Sequence, residues 1–183
     1  MSIIIPPPKS SGSSDMKLLF SDEVTSGTQT TISTGTLPTG YRNLVIKGQA
    51  RSDAAFNGVA LLVAFNGDTT DANYEYVRDV STQSKTDFQS NSPGLERFIG
   101  IASAGTATAN TFGVFTLTVY NHESTNNLKS YSSVAGSVHT SSLVQTNRIT
   151  GKRLSTAAIT SISLSMLAGD FVAGSSIAVY GLK

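Results

Sequence analysis

The chain has 183 residues, of which 39% are hydrophobic and 14% charged, and its formal net charge at pH 7 is +1. That charge is too small for the electrostatic footprint of a protein that binds nucleic acid or an anionic membrane, and the lack of cysteine excludes disulfides and thiolate metal sites. Average domains carry about 25% charged residues, whereas here 27 Ser and 22 Thr supply much of the polar surface.

The first fifteen residues differ in composition from the rest. Three isoleucines and three prolines follow one another there: Ile3, Ile4, Ile5, Pro6, Pro7 and Pro8. The prolines favour an extended polyproline conformation, and residues 9–15 have the composition of a flexible linker. Two interpretations stay open, a disordered start and an extended arm whose Ile-Pro tip docks on a neighbouring subunit or capsid. No basic region precedes the isoleucines, so the segment is not expected to be a secretory signal.

From Met16 onward, short runs of alternating apolar and hydroxyl residues follow one another, a pattern typical of half-buried antiparallel strands. Residues such as Asn57-Gly58 and Pro38-Thr39-Gly40 separate these runs as turns. The predicted strands cover residues 17–24, 29–37, 43–51, 59–65, 74–80, 97–102, 115–119, 129–137, 144–149, 162–166 and 176–182.

So many short strands without helical periodicity predict an all-β protein. We expect a single antiparallel β-sandwich domain over residues 16–183, jelly-roll-like, with residues 1–15 as an extended N-terminal arm. No apolar run approaches the roughly 18 residues needed to cross a bilayer, so no membrane partner is expected.

Two polar segments are predicted to be loops at the ends of the sandwich. Residues 81–96 contain Phe88 and Leu95 as their apolar anchors, and residues 121–127 form a second exposed turn. Long loops often bind ligands, although plain solvated connections are the more common case.

The sequence offers little for catalysis. Its two histidines, His122 and His139, stand in polar or Ser-Thr-rich stretches, and no G-x-S-x-G nucleophile motif occurs. We therefore interpret both histidines as surface residues and predict no enzymatic activity, no catalytic residue and no cofactor.

Oxygen-bearing side chains are densest in residues 66–73. Such a run can bind calcium, but it lacks the downstream bidentate glutamate of an EF-hand. Asn, Asp and Gly also stabilise turns by accepting backbone hydrogen bonds. A structural turn is the preferred interpretation, and no metal site is predicted.

The densest basic segment is residues 148–153, with Arg148, Lys152 and Arg153. Nucleic-acid recognition would need clustered cations with stacking aromatics. We interpret this segment as a solvated hairpin, with an anionic or subunit contact as the alternative, and expect no nucleic-acid partner.

Several strand and turn patterns resemble a β-sandwich module of tailed-bacteriophage virion proteins. The resemblance rests on residues 44–52, on Phe65-Asn66-Gly67-Asp68 followed by Asn73-Tyr74, and on the C-terminal runs 158–162, 171–175 and 179–182. It covers roughly residues 41–183 and carries no catalytic signature. The chain departs from the pattern in having no tryptophan and in having the Ile-Pro arm.

The resemblance implies a structural protein of the virion. The expected function is capsid decoration (cement): binding to the major capsid protein on the outer surface of the assembled shell, after synthesis in the host cytoplasm. The expected self-assembly is a homo-oligomer, in particular a trimer. The alternative is a tail or receptor-binding protein that recognises a host glycan through residues 81–96 and 121–127, and a glycan-cleaving enzyme comes last.

Overall fold

The structure is a computed structural model that describes residues 16–83, 86–90, 96–140 and 143–183. Its described residues form strands joined by turns and one short 3-10 helix at Asp71–Asn73. The strands are β1 (Lys17–Glu23), β2 (Thr28–Gln29), β3 (Thr31–Ser33), β4 (Asn43–Ala50), β5 (Gly58–Phe65), β6 (Tyr74–Thr82), β7 (Thr86–Ser90), β8 (Phe98–Ser103), β9 (Gly113–Val119), β10 (Lys129–Thr140), β11 (Leu143–Arg153), β12 (Ile162–Met166), β13 (Phe171–Val172) and β14 (Ser176–Leu182).

Two antiparallel sheets hold most of these strands. The larger has the order β1-β14-β4-β9-β10-β11-β6-β7, and the smaller has the order β3-β12-β5-β8; β13 and β2 form a short separate ribbon. Strand alternation decides which side chains turn inward, because successive residues of a strand point to opposite faces. In β9 and β10 buried and more exposed residues alternate along the whole strand, so each has one core face and one outer face.

The inner faces of the two sheets share one hydrophobic core, as in a sandwich. Leu117 of the larger sheet and Ile32 and Leu164 of the smaller sheet belong to the same buried cluster. At one end of this core the ring centroid of Phe65 lies 6.0 Å from that of Tyr74 and 5.8 Å from that of Tyr131. The prediction of an all-β protein with antiparallel sheets is confirmed.

Eight of the strands pair in a nested way. The first pairs with the last (β1 with β14), and inside that pair lie β3 with β12, β4 with β9 and β5 with β8. The chain therefore runs out along four strands and returns along four others, each antiparallel to its counterpart. The pairs β14–β4 and β12–β5 then join these ladders side by side into the two sheets.

Two hairpins are added to this nested set, and both enlarge the larger sheet. The β10–β11 hairpin pairs with β9, and the β6–β7 hairpin pairs with β11. The β6–β7 hairpin corrects the prediction of a long loop over residues 81–96: Ser81 and Thr82 end β6, and Thr86–Ser90 forms β7. Backbone hydrogen bonding to β6 makes a strand of this polar segment without the apolar alternation on which the prediction depended.

Candidate interaction surface

The face of the eight-stranded sheet that points away from the smaller sheet is its outer face. Cross-strand register places its side chains in rows. One row contains Lys47 of β4, Thr116 of β9, Val134 of β10, Arg148 of β11 and Asp79 of β6, each directly opposite the next. Along this row, charged side chains lie on β4, β11 and β6, and uncharged ones lie on β9 and β10 between them.

Among the described residues, the centre of the outer face contains no acidic or basic side chain, and the Tyr120 hydroxyl lies 3.2 Å from Ser132 Oγ there. Its outward residues form what we call the charge-free band: Val114, Thr116 and Thr118 of β9, with Ser130, Ser132, Val134, Gly136 and Val138 of β10. Val114 and Val134 keep 55% and 54% of their surface exposed. An uncharged centre that mixes apolar and hydroxyl groups is the composition expected of an interface core.

Charged residues flank the band on both sides. Lys47 is exposed on the β4 side, and Arg148 and Asp79 lie on the other side. Farther along the same two strands, Lys152 Nζ lies 2.8 Å from Glu75 Oε2, and both side chains are 45% exposed. Because acids and bases both occur in this rim, the outer face has no strong field of one sign.

The outer face is shallow. Two open grooves of about 360 and 370 Å³ lie on it, and Val77 and Thr150 line both of them. A broader depression of about 610 Å³ includes Lys47, Gln49 and Val114 on the other side of the band. Shallow relief suits a flat macromolecular surface better than a small ligand, since ligand sites enclose most of the molecule they bind.

The inner side of β10 is fixed to β8. The Ser133 hydroxyl donates a hydrogen bond of 2.6 Å to the carbonyl of Ile99. Gly100 faces Ala135 so closely that a Cβ on the glycine would lie 2.5 Å from the alanine Cβ. These contacts hold the β10 backbone against the smaller sheet, so the band is presented on a rigid support.

A cluster of polar side chains around Asp68 lies at one end of the sandwich. The Asp68 carboxylate accepts hydrogen bonds from the Thr70 N–H and from Asn73 Nδ2, and its Oδ2 lies 3.2 Å from Arg153 Nη2. Burial raises the pKa of Asp68, but these hydrogen bonds and the Arg153 charge outweigh it and lower the pKa overall. The carboxylate thus organises residues 66–73 as the structural turn predicted from the sequence.

Lys129 is fully buried beside this cluster. Its ammonium donates to the carbonyls of Ser124, Asn127 and Thr156, with the last two at 2.8 and 2.9 Å. Burial lowers the pKa of Lys129, and the nearby Arg153 charge lowers it further. The side chain ties two loops to the start of β10, which is a structural role.

Both histidines differ from the prediction that they are surface residues. His122 is 1% exposed, and its Nδ1 lies 3.0 Å from the Ile159 carbonyl oxygen. His139 is 8% exposed, and its Nε2 lies 2.9 Å from the Ser137 hydroxyl. They are buried because distant segments cover them, and no local sequence pattern reports that. His139 packs against Gly58, where a Cβ would meet its ring.

The basic segment 148–153 also differs from the prediction of a solvated hairpin. It lies inside β11, where outward Arg148 and Lys152 alternate with inward Ile149, Gly151 and Arg153. Alternation separates the three cations, so they do not form one patch. Arg153 is buried, and its charge faces Asp68 instead of solvent.

Residues 121–127 form a turn, as predicted, but their polar groups serve the fold. Asn121 Oδ1 accepts a hydrogen bond from Arg42 Nε at 3.0 Å. Glu123 Oε1 accepts one from the Gly40 N–H at 2.5 Å. Fewer groups therefore remain for an external ligand than the sequence suggested.

The Ile-Pro tip, Ile3 to Pro8, lies outside the described residues. The charge-free band was not identified from the sequence. A signal was present, because residues 111–120 and 130–138 contain no charged side chain. The two segments are separate in the sequence, and only the pairing of β9 with β10 shows that they form one surface.

Within the described residues, no helix is long and apolar enough to cross a membrane. Comparisons with protein-family models, with curated protein sequences and with solved structures found no match to this chain.

Proposed function

We propose that the protein is a non-enzymatic structural protein of a virion, a capsid decoration protein that binds the major capsid protein and stabilises contacts between capsomers. The observation that carries this proposal is the charge-free band, a flat and uncharged surface on a rigid sheet. Such a surface binds by burying area against another protein.

The strand pairing supports the jelly-roll part of the proposal. A jelly roll contains eight strands in two sheets, and the nested pairs from β1–β14 inward to β5–β8 follow that plan. The hairpins β6–β7 and β10–β11 would then be insertions that widen one sheet. The resemblance of residues 41–183 to phage virion modules points in the same direction.

The arm is proposed as a second attachment point. Each of Ile3, Ile4 and Ile5 would contribute about 1.5–3 kcal/mol if it were fully buried on a neighbouring subunit or capsid. The glycan-binding alternative has less support, because Asn121 and Glu123 already bind other parts of the fold.

The test locates the protein in particles. Virions purified from the phage–host system that produces the chain are labelled with an antibody against the recombinant protein. Labelling spread over the capsid supports decoration, whereas labelling confined to the tail, or absence from purified particles, contradicts it. Removal of residues 1–15 should weaken capsid binding without unfolding the sandwich, and unchanged occupancy would refute the role of the arm.

A further inference from the structure

We propose that the charge-free band is also a contact between two copies of this chain, related by a two-fold axis that runs parallel to β10. The partner is a second identical chain, and the contact is made face to face by the two eight-stranded sheets. This inference concerns the free protein and goes beyond capsid binding. Because one surface makes both contacts, the dimer must separate before the band can bind a capsid.

The row through Val134 gives the first argument. Lys47 lies two strands from Val134 on one side, and Asp79 lies two strands from it on the other. A two-fold axis along β10 exchanges β4 with β6 and β9 with β11. It therefore places Lys47 of each copy opposite Asp79 of the other, and Val134 against its own symmetry mate. One symmetry operation brings two opposite-charge pairs together around an apolar centre.

A two-fold axis in a different direction would bring like charges together. A two-fold axis perpendicular to the strands and passing through this row would place Lys47 on Lys47 and Asp79 on Asp79. Like charges brought together across an interface repel each other and weaken binding. The charge pattern therefore selects the axis parallel to β10.

Lys47 and Asp79 differ in how accessible they are to a second chain. Lys47 is exposed, and among the residues that the structure describes it forms no ion pair. Asp79 is partly buried and lines the groove beside Arg148, its cross-strand partner, yet in that same part of the chain no ion pair joins the two. Asp79 Oδ1 is covered and has no hydrogen-bond partner, so a second chain would meet the other oxygen of the carboxylate. Lys47 and Asp79, which form no ion pair within the described part of one chain, would pair with each other across the contact between two chains.

The hydroxyl groups of the band also suit contact between identical surfaces. The next row contains Thr118, Ser132 and Thr150, and the same axis places Thr118 opposite Thr150 and Ser132 on Ser132. A hydroxyl both donates and accepts a hydrogen bond, so Ser132, whose Oγ lies 3.2 Å from the Tyr120 hydroxyl, can still bond to its own copy. Charged groups at the axis would repel their own copies.

The available area is adequate for a stable contact. The axis relates seven strands, β14 through β7, which at a spacing of about 4.8 Å span roughly 29 Å. With strands about 23 Å long, the footprint is roughly 660 Å² before surface relief is counted. A standard interface buries about 800 Å² on each partner.

The experiment measures the mass of the purified full-length chain by sedimentation equilibrium over a concentration series. One chain has a mass of 19.1 kDa, so the two-fold contact predicts a species of twice that mass. Lys47→Asp and Asp79→Lys each place like charges opposite each other, and each should weaken dimerisation at least tenfold. The double variant Lys47→Asp/Asp79→Lys restores opposite charges and should dimerise within about threefold of the natural chain.

Mixing the two single variants is the sharpest arm of the test. Each repels its own copy, but a mixed dimer has an Asp–Lys pair at both symmetry positions, so the two should associate with each other. That result cannot come from unfolded protein. Thr31→Lys, an exposed change on β3 of the other sheet, is the matched control and should leave dimerisation unchanged.

Three results would overturn the inference: a natural chain that stays monomeric at every concentration, a species of three chains, or a double variant that dissociates like the single ones. The trimer expected from the sequence is thus a direct competitor of the two-fold contact. Because purified protein alone is used, these outcomes are separate from the particle labelling that tests capsid decoration.

Discussion

The ring of Tyr131 lies against the backbone of Gly151, its direct cross-strand partner, in the space where a side chain would begin. Tyr131 is 1% exposed, and burial, with a contribution from Tyr74 and Tyr76, raises the pKa of its phenol. Phe115 and Gly48 repeat the arrangement between β9 and β4, where a Cβ on the glycine would lie 2.7 Å from the Phe115 Cζ. These glycines make room for core rings.

Gly151→Ala should therefore destabilise the protein by about 2 kcal/mol or more, because the added methyl overlaps a buried ring whose surroundings are close-packed. Gly136→Ala is the matched control, since it lies in β10 of the same sheet and a Cβ there would have no neighbour closer than 4.0 Å. It should be neutral or stabilise by up to about 1 kcal/mol, because alanine loses less backbone entropy on folding. Urea unfolding of both variants measures the difference. Equal stabilities would show that the Tyr131 ring moves aside at no cost.

The same glycine explains an error in the sequence-based boundaries. Residues 144–149 are predicted to be a strand, and the three cations in residues 148–153 favour a solvated hairpin, so Gly151 falls outside the predicted strand. The strand continues to Arg153, since Gly151 accommodates Tyr131 from the neighbouring strand. Alternation identified strands such as Ile162–Met166 with correct bounds. Alternation along one strand could not show that the ring of Tyr131, twenty positions away in the sequence, needs a glycine at position 151.

Lys129→Met should destabilise the protein by about 3 kcal/mol. The change keeps much of the side-chain volume but removes the donor from the carbonyls of Ser124, Asn127 and Thr156, and a buried acceptor without a partner is costly. Lys152→Met is the control: this exposed lysine on β11 forms a surface ion pair with Glu75, and its loss should cost less than about 1 kcal/mol. A similar small effect for Lys129→Met would contradict the structural role.

The buried polar groups were the least predictable part of the molecule. Lys129 stands in a polar stretch that indicates exposure, and the carbonyl of Thr156 reaches it from 27 positions away. His122 likewise meets Ile159 across 37 positions. Composition describes what a residue prefers on average, whereas these contacts depend on which loops the strand order brings together.

Asp68 should make stability depend on pH in the acid range. Its pKa in the folded protein lies below the ordinary value of 3.8, so the unfolded chain binds the proton more readily. The stabilisation is complete above about pH 4 and is lost as the pH falls through the folded-state pKa. Thermal unfolding between pH 5 and 2 should show a smaller loss of stability for Asp68→Asn than for the natural chain. Parallel curves for the two proteins would show that the carboxylate charge does not contribute.

His139 should also make the stability of the protein depend on pH, in a higher range than Asp68 does. Burial lowers the pKa of His139 below its ordinary value of 6.5, so the unfolded chain takes up the proton first as the pH falls. The contribution to stability is therefore greatest above pH 6.5 and declines from there to the folded-state pKa. His139→Gln keeps a hydrogen-bonding group near Ser137 but cannot be protonated, so the slope between pH 7 and 5 should flatten. Because Asp68 titrates below this window, Asp68→Asn should leave that slope unchanged. A His139→Gln variant that keeps the full slope would assign it to another group, and comparing unfolding free energies at pH 7, 6 and 5 for the three proteins decides between these outcomes.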